Sequence, residues 1–436
     1  MGTLTAAMLA AAVPAASPVP VATAGLPAPR SGAEVVYPAP DGTFTLDGRG
    51  YGHGIGMSQY GAHGRGKAGH TYPQILSFYY PGASRVSQTS GPIRVEITRD
   101  SDGAVEVAAS PGLTVVADGA RVELPTAPSR WRVRGAAAGC MLQKWANGSW
   151  QTHALRPGQQ SFPCPAQFVT DDQVVRLVLT SGEVAGYRGR ILAVRPSSGS
   201  TKLVAVNRVA LESYLRSVVP SESPPYFDPD ALRAQAVAAR TYAKRDLSPG
   251  ELWDTCDSTR CQVYSGTGTE DPRTDRAVAA TARQVLTYSG KLALTMFSSS
   301  NGGQSAPGGQ AYLVSRSDSY DHVDNSRHTW STVLTARRLA NVHGLAQVER
   351  VQVLSRDGHG EWGGRVQDML VEGTTAAGAY KSVPVSGPSF RFSHGLYSHY
   401  FRFRFGTPDP EVGYDGDGYG DVLMRRSNGD LMMFSG

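Results

Sequence analysis

Cysteine, charge and long apolar runs are all scarce in this 436-residue chain. Four cysteines are present, Cys140, Cys164, Cys256 and Cys261, charged residues make up 18% and the net charge is +5. Lysine and arginine form no dense patch interleaved with aromatics, which argues against nucleic acid as a partner. No stretch stays apolar long enough to span a bilayer, so no membrane span is expected in the mature chain. The four-residue gap between Cys256 and Cys261 holds no histidine, and the flanking Asp254 and Asp257 are hard ligands. Two local disulfides, Cys140–Cys164 and Cys256–Cys261, in an exported protein are therefore the expectation, with a metal site as the alternative.

Glycine and proline are plentiful instead, at 50 and 28 residues. With 40% hydrophobic residues they indicate a globular, turn-rich, β-rich protein, and the length indicates two or three units. The small positive charge suits an anionic milieu such as a cell wall. Residues 1–24 end in Ala22-Thr23-Ala24 and read as a signal peptide without a basic n-region, or else as an Ala/Pro-rich tail; a secreted or wall-associated protein is the expectation. Residues 25–39 read as a linker.

Gly48–Gly82 carries glycines at 48, 50, 52, 54, 56 and 61 around His53, Ser58 and Gln59. Such spacing makes a poor helix and a weak strand, and suits backbone that passes close to a ligand or another segment. A glycine-rich hairpin with a structural histidine is the plainer alternative. Tyr72–Tyr80 has helical spacing, with Thr71 as cap and Pro81-Gly82 as stop. Residues 90–198 read as a β-rich accessory module. Val209–Val219 predicts a helix ended by Pro220. A Ser/Pro turn follows, and Asp228-Pro229 opens a second helix to about Asp246. Glu222 lies in that turn beside Tyr226 and Phe227, where partial desolvation would raise its pKa and make it a usable general acid. A surface or capping acid is the alternative.

Val218–Pro224 (VVPSESP), followed by Ala231–Ala243 (ALRAQAVAARTYA), resembles the signature of the SpoIID/LytB family. Cys261–Gly266, Phe297–Gly303, Gly387–Phe401 and the Gly52–Ala62 run (GHGIGMSQYGA) extend the resemblance over 40–86 and 200–405. In the usual family order the GHG segment comes last, so the likeness implies a circularly permuted chain, with 40–86 belonging to the 200–405 catalytic core. It implies an α+β fold: a core of antiparallel β with a few packed helices, plus the accessory module. It also implies lytic cleavage between N-acetylmuramic acid and N-acetylglucosamine in peptidoglycan glycan strands, preferably stripped of peptides. Glu222 would be the single acid and base, yielding a 1,6-anhydro product. His53, Ser58 and Gln59 would contact sugar, Arg233 and Arg240 would bind muramic carboxylates or tune Glu222, and Ser299 and Ser300 are further contacts. A non-catalytic glycan binder that stimulates a cell-wall amidase is the alternative. Some relatives bind zinc near Cys256 and Cys261; without a nearby histidine, no cofactor is expected there. Residues 406–436 resemble one partial FG-GAP/VCBS-type repeat, with a weak calcium expectation at Asp415, Asp417 and Asp421.

Overall fold

The computed structural model describes residues 27–137, 139–404, 422–425 and 431–434. Seven α-helices occur among them: α1 (Gln59–Lys67), α2 (Tyr72–Tyr79), α3 (Leu211–Glu222), α4 (Pro229–Arg245), α5 (Pro272–Ala280), α6 (Ala336–His343) and α7 (Gly387–His394). They pack with several mostly antiparallel sheets, so the fold is α+β. No described helix is long and apolar enough to cross a membrane.

Two large sheets form the β-rich part. One has six strands, in the order 149–153, 139–146, 130–136, 104–108, 174–178 and 184–188. The other has seven: 255–256, 92–96, 204–210, 190–194, 166–169, 114–117 and 120–123. Strands such as Arg130–Ala136 alternate buried and accessible residues, the pattern of a sheet with one face in a core. Trp131 and Leu177 from the first sheet and Phe168 and Ile191 from the second share one apolar cluster. Leu215 and Val219 of α3 and Ala236 and Ala239 of α4 join it. The helices around Glu222 therefore rest on the same core as the β module, and strands 204–210 and 255–256 extend its sheet. Cys140–Cys164 and Cys256–Cys261 are disulfide-bonded, with Cα–Cα distances of 5.4 and 5.5 Å.

A second region brings residues 34–49 together with residues 329–403. Thr43–Arg49 lies between Thr329–Thr335 and Phe401–Phe403, antiparallel to both. Glu34–Val36, read from sequence as linker, is instead the edge strand of a sheet continued by 347–356, 366–374 and 380–386. Val36 is buried there, which explains why an apolar pair sits in a Pro/Ala-rich stretch.

Two helical expectations need correction. Helix α1 grows directly out of the glycine-rich stretch, where low propensity argued against a helix. Its glycines are contact surface: a Cβ on Gly61 would overlap Tyr79 and Asp318, and one on Gly66 would overlap Asp228. Helix α3 continues through Pro220 to Glu222. Proline lacks only one donor, and this near the C-terminus the Ser223 N–H still closes on the Val219 carbonyl at 2.9 Å. Asp228 and Pro229 open α4 as expected, the Asp228 carboxylate accepting from the Asp230 N–H at 2.8 Å.

Candidate functional site

The glycine-rich segment and the 296–306 segment are zipped along their backbones. Tyr51 and Ser300 exchange two N–H···O bonds of 2.8 and 3.0 Å. Met57 N donates to Met296 O at 3.0 Å, Tyr60 N to Ser299 O at 3.0 Å and Ala306 N to Gly54 O at 2.8 Å. Gly56 has φ +71, and a side chain there would strike the Met296 carbonyl. Only glycine allows so close an approach with that dihedral.

A buried carboxylate locks this arrangement. Asp321 accepts from Ser58 Oγ at 2.5 Å, Ser300 Oγ at 2.7 Å and the Asn301 and Gly302 N–H groups at 3.0 Å each. His328 Nδ1 lies 2.8 Å from it. Burial alone would raise this carboxyl, but the bonds from His328, Ser58 and Ser300 hold it below the usual carboxylate range. Ser58 also caps α1, accepting from Gly61 N at 3.0 Å. Ser58 and Ser300 are thus committed internally and buried. Expected to contact ligand, they instead hold in place a segment that lines a cavity.

Next to these segments is a cavity of about 760 Å³. It is lined by Tyr51, His53, Gln59 and Tyr60 from the glycine-rich segment, and by Ser221, Glu222, Pro224 and Phe227 around the end of α3. Phe297, Ser298 and Ser299 contribute, as do Tyr242 of α4, Thr259 and Arg260 of the disulfide loop, and Arg391 and Phe392 of α7. His53 and Glu222, 169 positions apart, therefore share one cavity.

Glu222 ends α3. Its Oε1 accepts the Val263 N–H at 2.8 Å. Val263 follows the Cys256–Cys261 loop, and neighbouring Gln262 is held by Tyr214 OH at 3.1 Å and by the Ala239 carbonyl at 3.3 Å. Burial pushes the Glu222 carboxyl above the usual carboxylate range, while the Val263 N–H and the Gln59 amide oppose the rise. Position at a helix C-terminus, the negative end of the dipole, also favours the protonated form. Gln59 Nε2 is buried and makes no hydrogen bond among the described residues, so its influence on Glu222 is one of proximity.

The His53 ring accepts the Ile55 N–H on Nδ1 at 2.9 Å. Burial, then Arg391 and Arg365, push its pKa down to about 4. It is therefore neutral at physiological pH, and with Nδ1 accepting, the proton is on Nε2.

The two arginines expected to bind carboxylates do not line this cavity. Arg240 is fully buried and grips Glu212, Nε to Oε1 at 2.9 Å and Nη2 to Oε2 at 2.8 Å, with further bonds to the Val278 and Gln284 carbonyls. Arg233 pairs with Asp230 at 3.3 Å. Both are structural ion pairs here. Of the expected site residues the cavity gathers Glu222, His53, Gln59 and Ser299. It adds Tyr60, Tyr242, Arg260, Arg391 and Phe392, which sequence reasoning passed over; Arg391 and Phe392 lay within the family-like Gly387–Phe401 segment. Asp415, Asp417 and Asp421 lie outside the described residues.

Fold and site together define an α+β protein with an open, aromatic-rich cleft around one partly buried acid. Residues 199–288 match the family described as stage II sporulation protein (SpoIID). That match contains Glu222 and Arg260 but not His53, Gln59 or Arg391. The chain is 61% identical over 44 residues to the amidase enhancer of Bacillus subtilis, covering 10% of this chain and 6% of that protein. It is 36% identical over 118 residues to stage II sporulation protein D of B. subtilis, covering 22% and 34%. With stage II sporulation protein D of Bacillus amyloliquefaciens the identity is 28% over 252 residues, covering 53% and 71%. The matches to the two B. subtilis proteins thus span about a third of their length or less.

Proposed function

We propose that this chain is a SpoIID-like peptidoglycan lytic transglycosylase with Glu222 as its single acid and base. The observation that carries the reading is the half-buried Glu222 carboxyl, raised in pKa, in the cavity that also takes in His53 and Gln59. Protonated Glu222 gives its proton to the glycosidic oxygen between N-acetylmuramic acid and N-acetylglucosamine. The C1–O bond breaks, and the muramic C6 hydroxyl attacks C1 while returning its proton to the carboxylate. The products are a 1,6-anhydro end and a free 4-hydroxyl, with no water consumed. Because the substrate supplies the nucleophile, a second carboxylate is not required, unlike in two-carboxylate hydrolases. Glu222 is the one acid among the described residues lining the cavity. Exposed aromatic rings at the cleft, Tyr51 at 43% and Phe392 at 72%, suit stacking on sugar rings.

The reading includes the permuted order. Phe401–Phe403 runs antiparallel to Thr43–Arg49, and Arg404 N donates to Thr45 O at 2.8 Å. The last described core residues and the first core strand are thus neighbours, as a hairpin broken open would leave them.

Glu222→Gln is expected to lower release of anhydro-ended products from peptide-free glycan by roughly 10²- to 10⁴-fold, the usual worth of a positioned acid–base group, with the fold intact. Turnover like that of the wild type would remove Glu222 from the mechanism. A second reading follows from the name of one relative, amidase enhancer: a wall protein that grips glycan and stimulates an amidase without cutting. Mass spectrometry of purified glycan after incubation separates the two, because only cleavage leaves anhydro ends.

A further inference from the structure

Arg391 is the lining residue whose chemistry the proposed mechanism leaves unused. It sits on α7, which Ser386 caps by accepting the Ser389 N–H at 3.2 Å. Phe390 points inward and is fully buried, and the next two residues turn outward into the cavity. The Arg391 guanidinium lies 4.8 Å from the centre of the Phe392 ring. Its Nε is buried without a hydrogen-bond partner among the described residues. Burial disfavours its charge, and Tyr51 works against that effect. A guanidinium carries five donors in a planar fork suited to a carboxylate. Other arginines in this fold are matched in that way: Arg240 with Glu212 and Arg188 with Glu270. Arg391 has no such match among the described residues, and among them the cavity it enters holds one acid, which the chemistry needs.

We propose that Arg391 and Phe392 form a subsite for an acidic sugar, Phe392 stacking on the ring face and Arg391 taking the ring's carboxylate substituent. On the lytic reading above, on which this rests, that group is the free lactyl carboxylate of a peptide-free muramic acid residue. Arg391 thus makes the muramic-carboxylate contact expected of Arg233 and Arg240, and a peptide on that carboxylate would remove the charge it reads. An amide in place of the carboxylate forfeits the charge-assisted bonds. Arg260, at the cavity edge, adds to the positive field but is exposed.

The test measures binding of three glycans by calorimetry to the Glu222→Gln protein, which holds them uncut. They are peptide-free glycan, the same glycan with its lactyl carboxylates converted to primary amides, and a chitooligosaccharide without lactyl groups. The acidic glycan is expected to bind roughly 10- to 100-fold more tightly than the other two, the worth of a hydrogen-bonded charge pair. Adding Arg391→Gln should level the three, Arg391→Lys should keep part of the preference, and Phe392→Ala should weaken all three alike. Preference for the acidic glycan surviving in Arg391→Gln, or absent from the parent, overturns the subsite. The two readings fail separately. If wild-type protein leaves no anhydro ends while the Arg391-dependent preference stands, the lytic function is lost and the subsite remains. If the wild type cuts and Arg391→Gln cuts acidic and amidated glycan in the wild-type ratio, the subsite alone is lost.

Discussion

Glu222 is set by opposing influences, and they make its titration a sensitive probe. In the proposed lytic reaction the acid must start protonated, so kcat/KM should be sustained below its raised pKa and fall as pH climbs through it. Gln59 favours the ionised form, so Gln59→Ala is expected to push the pKa further up and move the falling limb to higher pH. A pH–rate profile showing no shift, or one to lower pH, would exclude that coupling. The same raised pKa bears on stability. The folded state favours the protonated carboxyl, a contribution fully present below the ordinary carboxylate range and lost as pH rises through the folded value. Glu222→Gln should therefore be at least as thermally stable as wild type at neutral pH. Glu222, His53 and Gln59 were legible in the sequence because their motifs are dense and local. Ser58 and Ser300 were misplaced because a hydroxyl's partner, here Asp321, comes from a segment more than twenty residues away and leaves no local pattern. Arg391 was missed for a related reason: what singles it out is that no acid among the described residues pairs with it in space.

Helices α3 and α4 form the frame that aims Glu222, and the Arg240–Glu212 pair clamps them together. Arg240 is wholly buried and the Glu212 side chain is 40% exposed. Glu212→Ala would leave the guanidinium buried without its counter-charge, expected to cost about 3 kcal/mol, the low end for a broken buried pair because Glu212 is partly solvated. Denaturant unfolding would measure it; a change below about 0.5 kcal/mol would mean the pair does not clamp the helices. Sequence rules placed α4 well, because Asp228 and Pro229 act locally. They failed at α1 and at the end of α3. At α1, Tyr79, Tyr320 and Asp228 pack against bare glycine backbone, so tertiary contact overrides propensity. At Pro220 the rule that proline stops a helix describes interiors, and a final turn tolerates it.

For the whole molecule, the α+β class was readable from the family-like motifs, and the β-rich character of residues 90–198 from alternation and turn residues. That α3 and α4 share the module's core was not, since apolar periodicity marks a buried face without naming what covers it. The proximity of residues 404 and 45 leads to a construction test. A chain opened at the exposed 89–91 stretch, with residue 404 returned to residue 27 through a Gly/Ser linker of about ten residues in place of the tail, is expected to fold. Its melting temperature should lie within about 5 °C of the parent's. An insoluble product, or one melting far lower, would count against the permuted order.

The strand at Thr43–Arg49 also sets a schedule. It is among the first core segments to be synthesised, yet one neighbour is strand 329–335 and the other is strand 401–403, so that Asp47 meets Arg404 across 357 positions. Contacts this distant form last, because their loop closure must precede any gain. The glycine-rich wall of the cleft hangs from this strand and from Asp321. A nascent chain can thus complete much of the β module while its cleft is still unbuilt, and the glycine-rich wall is held on both sides only after strand 401–403 has been made.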